Sequence, residues 1–256
     1  MKKYIYLLIL PLITILSACE KNTVPVISTP TTGARIKFYN FSLNSPGVNF
    51  YANEKKMTAI QSTTGIEAVT GVAYGSVGPA SNYATIEGGQ YIFKAQITAA
   101  IDKDLAIANL TTTVENSKYY SLYTCGFYNT GAKTSDTFIV EDKLPAFDNS
   151  ATYVRFVNAI PNANSGMDFV VKNTVTLTET VVSTNIAYKN GSDFVKLLPG
   201  VYTIYTRYPG TNTNLITRAD VSFVIGRVYT ISSRGDMTVV STTATNRPFL
   251  DNTANR

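Results

Sequence analysis

RIKFYN, residues 35–40, and YVRFVN, residues 153–158, are one pattern written twice in a single chain. In both, apolar residues (Ile36 and Phe38; Val154 and Phe156) flank a central basic residue, and each copy closes on an asparagine, Asn40 or Asn158. Alternation with a period of two marks a strand that buries one face. The copies lie 118 residues apart, and the echo continues downstream in the same order. Val48-Asn49-Phe50-Tyr51 answers Met167-Asp168-Phe169-Val170. YATIEGGQYIFKA answers FVKLLPGVYTIYT, setting Gly89 opposite Gly200 and Tyr91 opposite Tyr202. VENSKYYSLYT answers FVIGRVYTISS, setting Lys118 opposite Arg227 and Tyr120 opposite Tyr229. A fifth pair, LPAFDN (144–149) and RPFLDN (247–252), closes the series. Five blocks in one order point to two tandem domains, residues 33–149 and 150–256, each about the size that one hydrophobic core supports. The junction falls near the polar stretch Asp148-Asn149-Ser150.

Each domain reads as short strands separated by turns. The chain holds 17 Tyr and 12 Phe but no Trp, and Tyr, Val, Ile and Thr suit a pleated, half-buried surface. Only AAIDKDLAIANL (99–110) tempts a helical reading, and its flanks argue against a long one. In the second domain DFVKLL and VYTIYTR are parted by Pro199-Gly200, where glycine is expected to supply a positive φ. LITRADVSFVI and RVYTISS meet at Gly226, and DMTVVSTT, following Arg234-Gly235, reads as a last strand. The expected fold is all-β: two tandem β-sandwiches of the immunoglobulin or transthyretin-like kind, about seven strands each. A closed barrel is the structural alternative.

The chain opens with Lys2 and Lys3, then runs almost wholly apolar from Tyr4 to Ile15 before Leu16-Ser17-Ala18-Cys19. A basic start, a short apolar core and small residues before a cut site make a secretory signal peptide over residues 1–18. The run is interrupted by Pro11 and falls short of the roughly 20 residues a bilayer-spanning helix needs. Leu16-Ser17-Ala18-Cys19 resembles the lipobox of bacterial lipoproteins. That resemblance implies a thioether-linked lipid on Cys19, cleavage before it and an acylated new N-terminus, palmitate being a typical chain. Several acyl chains hold a protein on a bilayer far better than one. Residues 19–32 then serve as lipidated cysteine and flexible tether; the 13 residues after Cys19 stretch to at most roughly 45 Å.

With Cys19 lipidated, Cys125 is the one thiol of the mature chain, so no intramolecular disulfide forms. Removing the leader lowers the net charge from +5 to +3, and no Lys/Arg run is long enough for a nucleic-acid stripe. The start of each domain also resembles a family of secreted and lipoprotein β domains known only as domain-of-unknown-function family number 4397. Arg155-Phe156-Val157-Asn158-Ala159 and Pro161 fit its RFVNASPDAP-like opening, while Ile160 and Asn162 depart from it. Met167-Asp168-Phe169-Val170-Val171 fits the following VDVYVNG-like strand. The first copy is more degenerate, with Leu43 where Pro is usual and Asn49 where Asp is usual. The resemblance implies a β fold and an envelope address, and it brings no catalytic residues.

The chain has no histidine, which removes a Ser-His-Asp triad, a Cys–His pair and any His-ligated metal. One free thiol cannot make a cysteine zinc site, and no cofactor motif is present; YGSVG (74–78) lacks the Lys-Ser/Thr of a phosphate-binding loop and reads as a turn. Cys125, inside YYSLYTCGFYN, reads as a small apolar strand residue. Paired carboxylates could still hydrolyse glycosides. The candidates are Asp102 with Asp104, Glu141 with Asp142, and Asp168 with a distant partner. A solvated turn explains Asp102-Lys103-Asp104 better, and side-chain hydrogen bonds to backbone explain Asp168 and Asn158 better. For binding, TRYPGTNTNL (206–215) offers Arg207, Tyr208 and Asn212 around Pro209-Gly210. An ordinary hairpin loop is the competing explanation.

The expectation is a non-enzymatic, lipid-anchored cell-envelope protein, most simply on the outer membrane, acting as an interaction or structural module. Its partners would be the membrane through Cys19 and envelope proteins or glycans, with no nucleic acid. The alternatives are a glycan-binding accessory lipoprotein of an outer-membrane uptake system and, behind it, a carboxylate-dependent glycosidase.

Overall fold

Strands and turns make up the described part of the chain, residues 32–58 and 70–256 of the computed structural model, and no helix occurs among them. The leader and Cys19 lie outside the described residues. The first half carries β1 (Ala34–Asn40), β2 (Val48–Ala52), β3 (Lys55–Lys56), β4 (Ser76–Gly78), β5 (Ala84–Ile86), β6 (Gly89–Ile97), β7 (Ala106–Val114), β8 (Tyr119–Asn129) and β9 (Thr134–Glu141). The second carries β10 (Thr152–Asn158), β11 (Met167–Asn173), β12 (Glu179–Ile186), β13 (Asn190–Gly191), β14 (Val195–Leu197), β15 (Gly200–Arg207), β16 (Asn214–Phe223), β17 (Val228–Arg234) and β18 (Phe249–Ala254). The count exceeds seven per half because β3–β5, β13 and β14 are pieces of two or three residues.

Each half is a two-sheet sandwich. In the first, the sheet β4-β1-β8-β9, with β5 also on β1, faces β3-β2-β6-β7. In the second, β13-β10-β17-β18, with β14 on β10, faces β12-β11-β15-β16. The strand orders correspond position by position. In both halves the first strand runs parallel to the last but one, β1 to β8 and β10 to β17, while the remaining ladders are antiparallel. A parallel pair cannot be closed by a tight turn, so the chain crosses to the other sheet and back between them.

Ile36 and Phe38 of β1, Phe50 of β2 and Phe93 of β6 fill the first core. Val154, Phe156, Phe169 and Ile204 fill the second. Phe38 stacks on Phe50 at 5.0 Å between ring centroids, and Phe156 on Phe169 at 5.2 Å. Such pairs add about 0.5–1.5 kcal/mol beyond the burial of their area. Asn40 and Asn158 do the same work at corresponding bends. The Asn158 carboxamide donates to the Ile186 carbonyl at 3.0 Å and accepts from the Ile160 N–H at 3.1 Å. Asn40 donates to the Val72 carbonyl at 2.9 Å.

The central parts of the outward faces of β1, β8, β10 and β17 are buried. Tyr39, Phe41, Tyr123, Cys125 and Phe138 of the first half pack with Val157 and Ala159 of the second in a third cluster. Lys37 and Arg155, the basic residues of the repeated hexapeptide, are 0% and 1% exposed in this seam. Their roles mirror each other: Lys37 Nζ donates to the Ala254 carbonyl of β18 at 2.6 Å, and Arg155 Nη1 to the Glu141 carbonyl of β9 at 3.1 Å. Arg155 also ion-pairs with Asp142 and donates to Thr230 Oγ1 at 2.9 Å. Asp142 accepts further from Ser121 at 2.8 Å and from Tyr83 at 2.7 Å. Burial opposes the charge on Arg155, yet Asp142 and its hydrogen bond hold the pKa above the ordinary value. Residues Thr32–Arg256 therefore form one compact unit.

Three local expectations change. Gly200 does not adopt a positive φ; it opens β15, and a Cβ there would meet Asn173 Nδ2 at 3.3 Å. DMTVVSTT is no strand, because Asp236 Oδ1 accepts from the Thr238 N–H at 2.9 Å and hydroxyl at 2.7 Å and turns the chain. The last strand is instead Phe249–Ala254. That breaks the fifth sequence pair: RPFLDN runs into β18, whereas LPAFDN carries no strand. By ladder register, Ala254 opposite Tyr229 corresponds to Glu141 opposite Tyr120. The stretch 99–110 forms a turn leading into β7, in keeping with its flanks.

Candidate functional site

The 206–215 segment becomes the end of β15, a turn and the start of β16. On β15 the side chains of Tyr202 and Ile204 enter the core, so Thr203, Tyr205 and Arg207 share the opposite face. Arg207 Nε donates to Asn214 Oδ1 at 2.9 Å, its Nη1 reaches Glu179 Oε2 at 3.2 Å, and its guanidinium lies 4.6 Å from the Tyr205 ring centroid. The Tyr205 hydroxyl donates to Glu179. Lys172 stands beside this group, opposite Glu179 in the ladder. A groove of about 400 Å³ lies here, lined by Lys172, Asn173, Leu177, Glu179, Tyr205 and Asn214.

Hydrogen bonds from Tyr205 and then Arg207 hold the Glu179 carboxyl below its usual range. Burial, with Glu179 adding to it, pushes the Tyr205 phenol up to about 12. The groove therefore presents a carboxylate, an amide and a cation at neutral pH, both donors and acceptors. Its rim is the β11–β12 turn, where Asn173 Oδ1 accepts from the Val175 and Thr176 N–H groups at 2.9 Å each. Leu177 sits there at φ 60° and is 64% exposed, a strained conformation for a bulky side chain left in water.

Of the residues singled out in the sequence, Arg207 does not line the groove but pairs with Glu179 and Asn214, which do. Tyr208 turns away, its hydroxyl accepting from the Asn164 N–H at 3.1 Å, and Asn212 stands exposed at the loop tip. Glu179, Tyr205 and Lys172 escaped sequence reasoning, because Glu179 and Lys172 meet Arg207 only through sheet pairing. The candidate acids lie elsewhere. Asp102, at φ 60°, pairs with Lys133 at 2.8 Å, and Asp104, at φ 64°, is exposed in the same turn. Asp168 Oδ1 accepts from the Asn185 N–H at 2.7 Å. Asp142 is locked in the seam, and Glu141 offers its carbonyl there. Cys125 is buried, its sulfur accepting from the Tyr188 hydroxyl at 3.2 Å, and burial pushes its thiol up to about 12. Among the described residues no group of three or more Asp, Glu, Cys or His could hold a metal ion.

A family model described as "Domain of unknown function (DUF4397)" matches residues 34–165, more than half of the chain. No curated protein matches the sequence. Among solved structures, the TIE protein of Bacillus anthracis is 14% identical with a TM-score of 0.25; the match covers 80% of this chain and 34% of that one, so this chain spans about a third of its length. A candidate cell adhesion protein from Bacteroides eggerthii is 11% identical with a TM-score of 0.23, covering 89% and 97% of the two chains. Another, from Bacteroides fragilis, is 9% identical with a TM-score of 0.19, covering 88% and 97%. At TM-scores this low nothing is carried from those proteins to this chain.

Proposed function

The chain belongs to the family described as Domain of unknown function (DUF4397), and from that premise we propose a non-catalytic, lipid-anchored cell-envelope protein that works as an interaction or structural module. In this reading residues 33–149 and 150–256 are two copies of the family domain, held to the outer membrane by lipid on Cys19. The observation that carries it is the seam. A buried ion pair, Arg155 with Asp142, joins the halves from inside and is closed to any substrate. The other candidate carboxylates are engaged in turns and surface pairs. A block so joined offers outer sheet faces and loops, the surfaces an interaction module uses.

The test is crosslinking in cells, followed by capture of the tagged full-length protein from native membranes and mass spectrometry. One stoichiometric envelope partner supports the reading, as does a palmitate-analogue label that disappears in Cys19→Ala. Glycoside cleavage lost on Asp102→Asn or Asp168→Asn would overturn it. A second reading, a glycan-binding accessory lipoprotein, is favoured by the mixed donors and acceptors beside Tyr205 in the β12–β15–β16 groove. It predicts saturable oligosaccharide binding that Glu179→Gln weakens, and a flat glycan screen with folded protein removes it.

A further inference from the structure

We propose that a cleft at one end of the seam between the two halves binds a phosphate group. The cleft has a volume of about 440 Å³, and its walls include Arg35, Asn82, Tyr83, Tyr119, Arg227 and Arg256. Both halves contribute. Arg35 lies on β1, while Arg227 immediately precedes β17 and Arg256 follows β18. The backbone fixes each one: the Arg35 N–H donates to the Lys118 carbonyl at 2.9 Å, the Arg227 carbonyl accepts from Tyr153 at 3.1 Å, and the Arg256 carbonyl accepts from Val228 at 3.1 Å.

The electrostatics select an anion. Arg35, Arg227 and Arg256 line the cleft, and among the described residues no Asp or Glu joins them in its walls. Lys37 adds a fourth cation beneath, its Nζ 5.0 Å from the Tyr83 ring centroid. Asp142, reached through the Tyr83 hydroxyl, is already matched by Arg155. Arg256 donates to the Pro145 and Ala146 carbonyls at 3.0 and 3.3 Å, while its Nε is buried with no hydrogen-bond partner among the described residues. Arg227 is exposed, and the Arg35 guanidinium carbon lies 5.1 Å from the Tyr119 ring centroid. Guanidinium forks suit oxyanions, and a tetrahedral phosphate answers cations set around a cleft better than a planar carboxylate does. The aromatic rings leave room for an organic group attached to it.

The phosphate has two possible sources, a free phosphorylated molecule or a lipid headgroup. The second rests on the lipid-anchor reading. Its support is position: Thr32 is bound to the Ser117 N–H at 3.1 Å, two residues from Tyr119, so the chain enters the sandwich beside the cleft.

The experiment uses the full-length protein and an arginine-specific dicarbonyl reagent, with modification read peptide by peptide by mass spectrometry. One arm is in neutral detergent with inorganic phosphate as probe; the other is in phosphatidylglycerol nanodiscs without added phosphate. The expected result is several-fold slower modification of Arg227 and Arg256, with Arg207 on the distant sheet unchanged. Protection by inorganic phosphate identifies a free ligand, and protection in nanodiscs alone identifies the headgroup. Arg227→Gln, whose exposed side chain can be replaced without unfolding, should weaken phosphate affinity about ten-fold and remove the protection of Arg256. Absence of protection in both arms, or protection of Arg256 that survives in Arg227→Gln, overturns the proposal.

Discussion

Lys37 and Arg155 occupy the same place in the repeated hexapeptide yet carry different energetic weight. Arg155 faces a buried carboxylate, so removing it strands the Asp142 charge in the seam. Arg155→Leu should therefore cost about 3–5 kcal/mol, read as a shift in denaturant midpoint. Lys37 gives its ammonium to the Ala254 carbonyl and the face of the Tyr83 ring, and burial lowers its pKa, Asp142 offsetting this only in part. Lys37→Met keeps the aliphatic stem and removes the buried charge, so it should cost no more than about 1–2 kcal/mol. Equal losses for the two substitutions would show that the mirrored contacts are energetically alike and that Asp142 is not the distinguishing partner.

At the scale of the element, the positive-φ glycines at the ends of β15 and β17 separate two causes of glycine preference. Gly235 ends β17 at φ 110°, and a Cβ there would strike the Arg247 carbonyl oxygen at 2.1 Å. Gly210 sits in the β15–β16 turn at φ 75° with nothing within 4 Å of a Cβ. Gly210→Ala should cost only the conformational penalty, about 1 kcal/mol, whereas Gly235→Ala should cost about 2 kcal/mol more and disturb the β17–β18 connection. Thermal unfolding of both variants decides it. If they fall equally, the close approach of Arg247 contributes nothing.

For the whole molecule, two sandwiches that share a buried, ion-paired face should unfold together. A single cooperative transition, with calorimetric and van't Hoff enthalpies agreeing, is expected for the full chain; two separated transitions would mean that the seam does not couple the halves. The seam also sets the alkaline limit. Burial pushes the Cys125 thiol from 9.0 and the Tyr123 phenol from 10.0 up to about 12, and raises Tyr39, Tyr83 and Tyr188 as well. A group whose folded pKa is raised lends stability that is whole below its unfolded pKa and is lost as pH rises through the folded one. Lys37, with its pKa lowered, works the other way, gaining as pH rises toward 10.5, but it is one group against five. The denaturation midpoint should thus fall as pH climbs from about 9 to about 12, and a flat profile there would contradict the burial of these groups.

The sandwich was legible from the residues because it rests on local alternation. Ile36 with Phe38 and Val154 with Phe156 must face a core, and Asn40 and Asn158 must bend the chain after them. The candidate site was legible only in part: Arg207 stands in a suggestive segment, but Glu179 of β12 reaches it across β11, and no spacing along the chain announces that pairing. The matching of LPAFDN with RPFLDN failed for a related reason, since letters in a tail do not say which strand they will pair with. Period-two patterning, then, determined an all-β chain with a repeated opening strand, because burial of one strand face is written in consecutive residues. Only the tertiary structure decided that the other face of those strands is buried too. A lysine or arginine on the outward side of a strand is satisfied by water or by a partner from a distant segment, and Ala254, Glu141 and Asp142 become that partner only once the two halves stack.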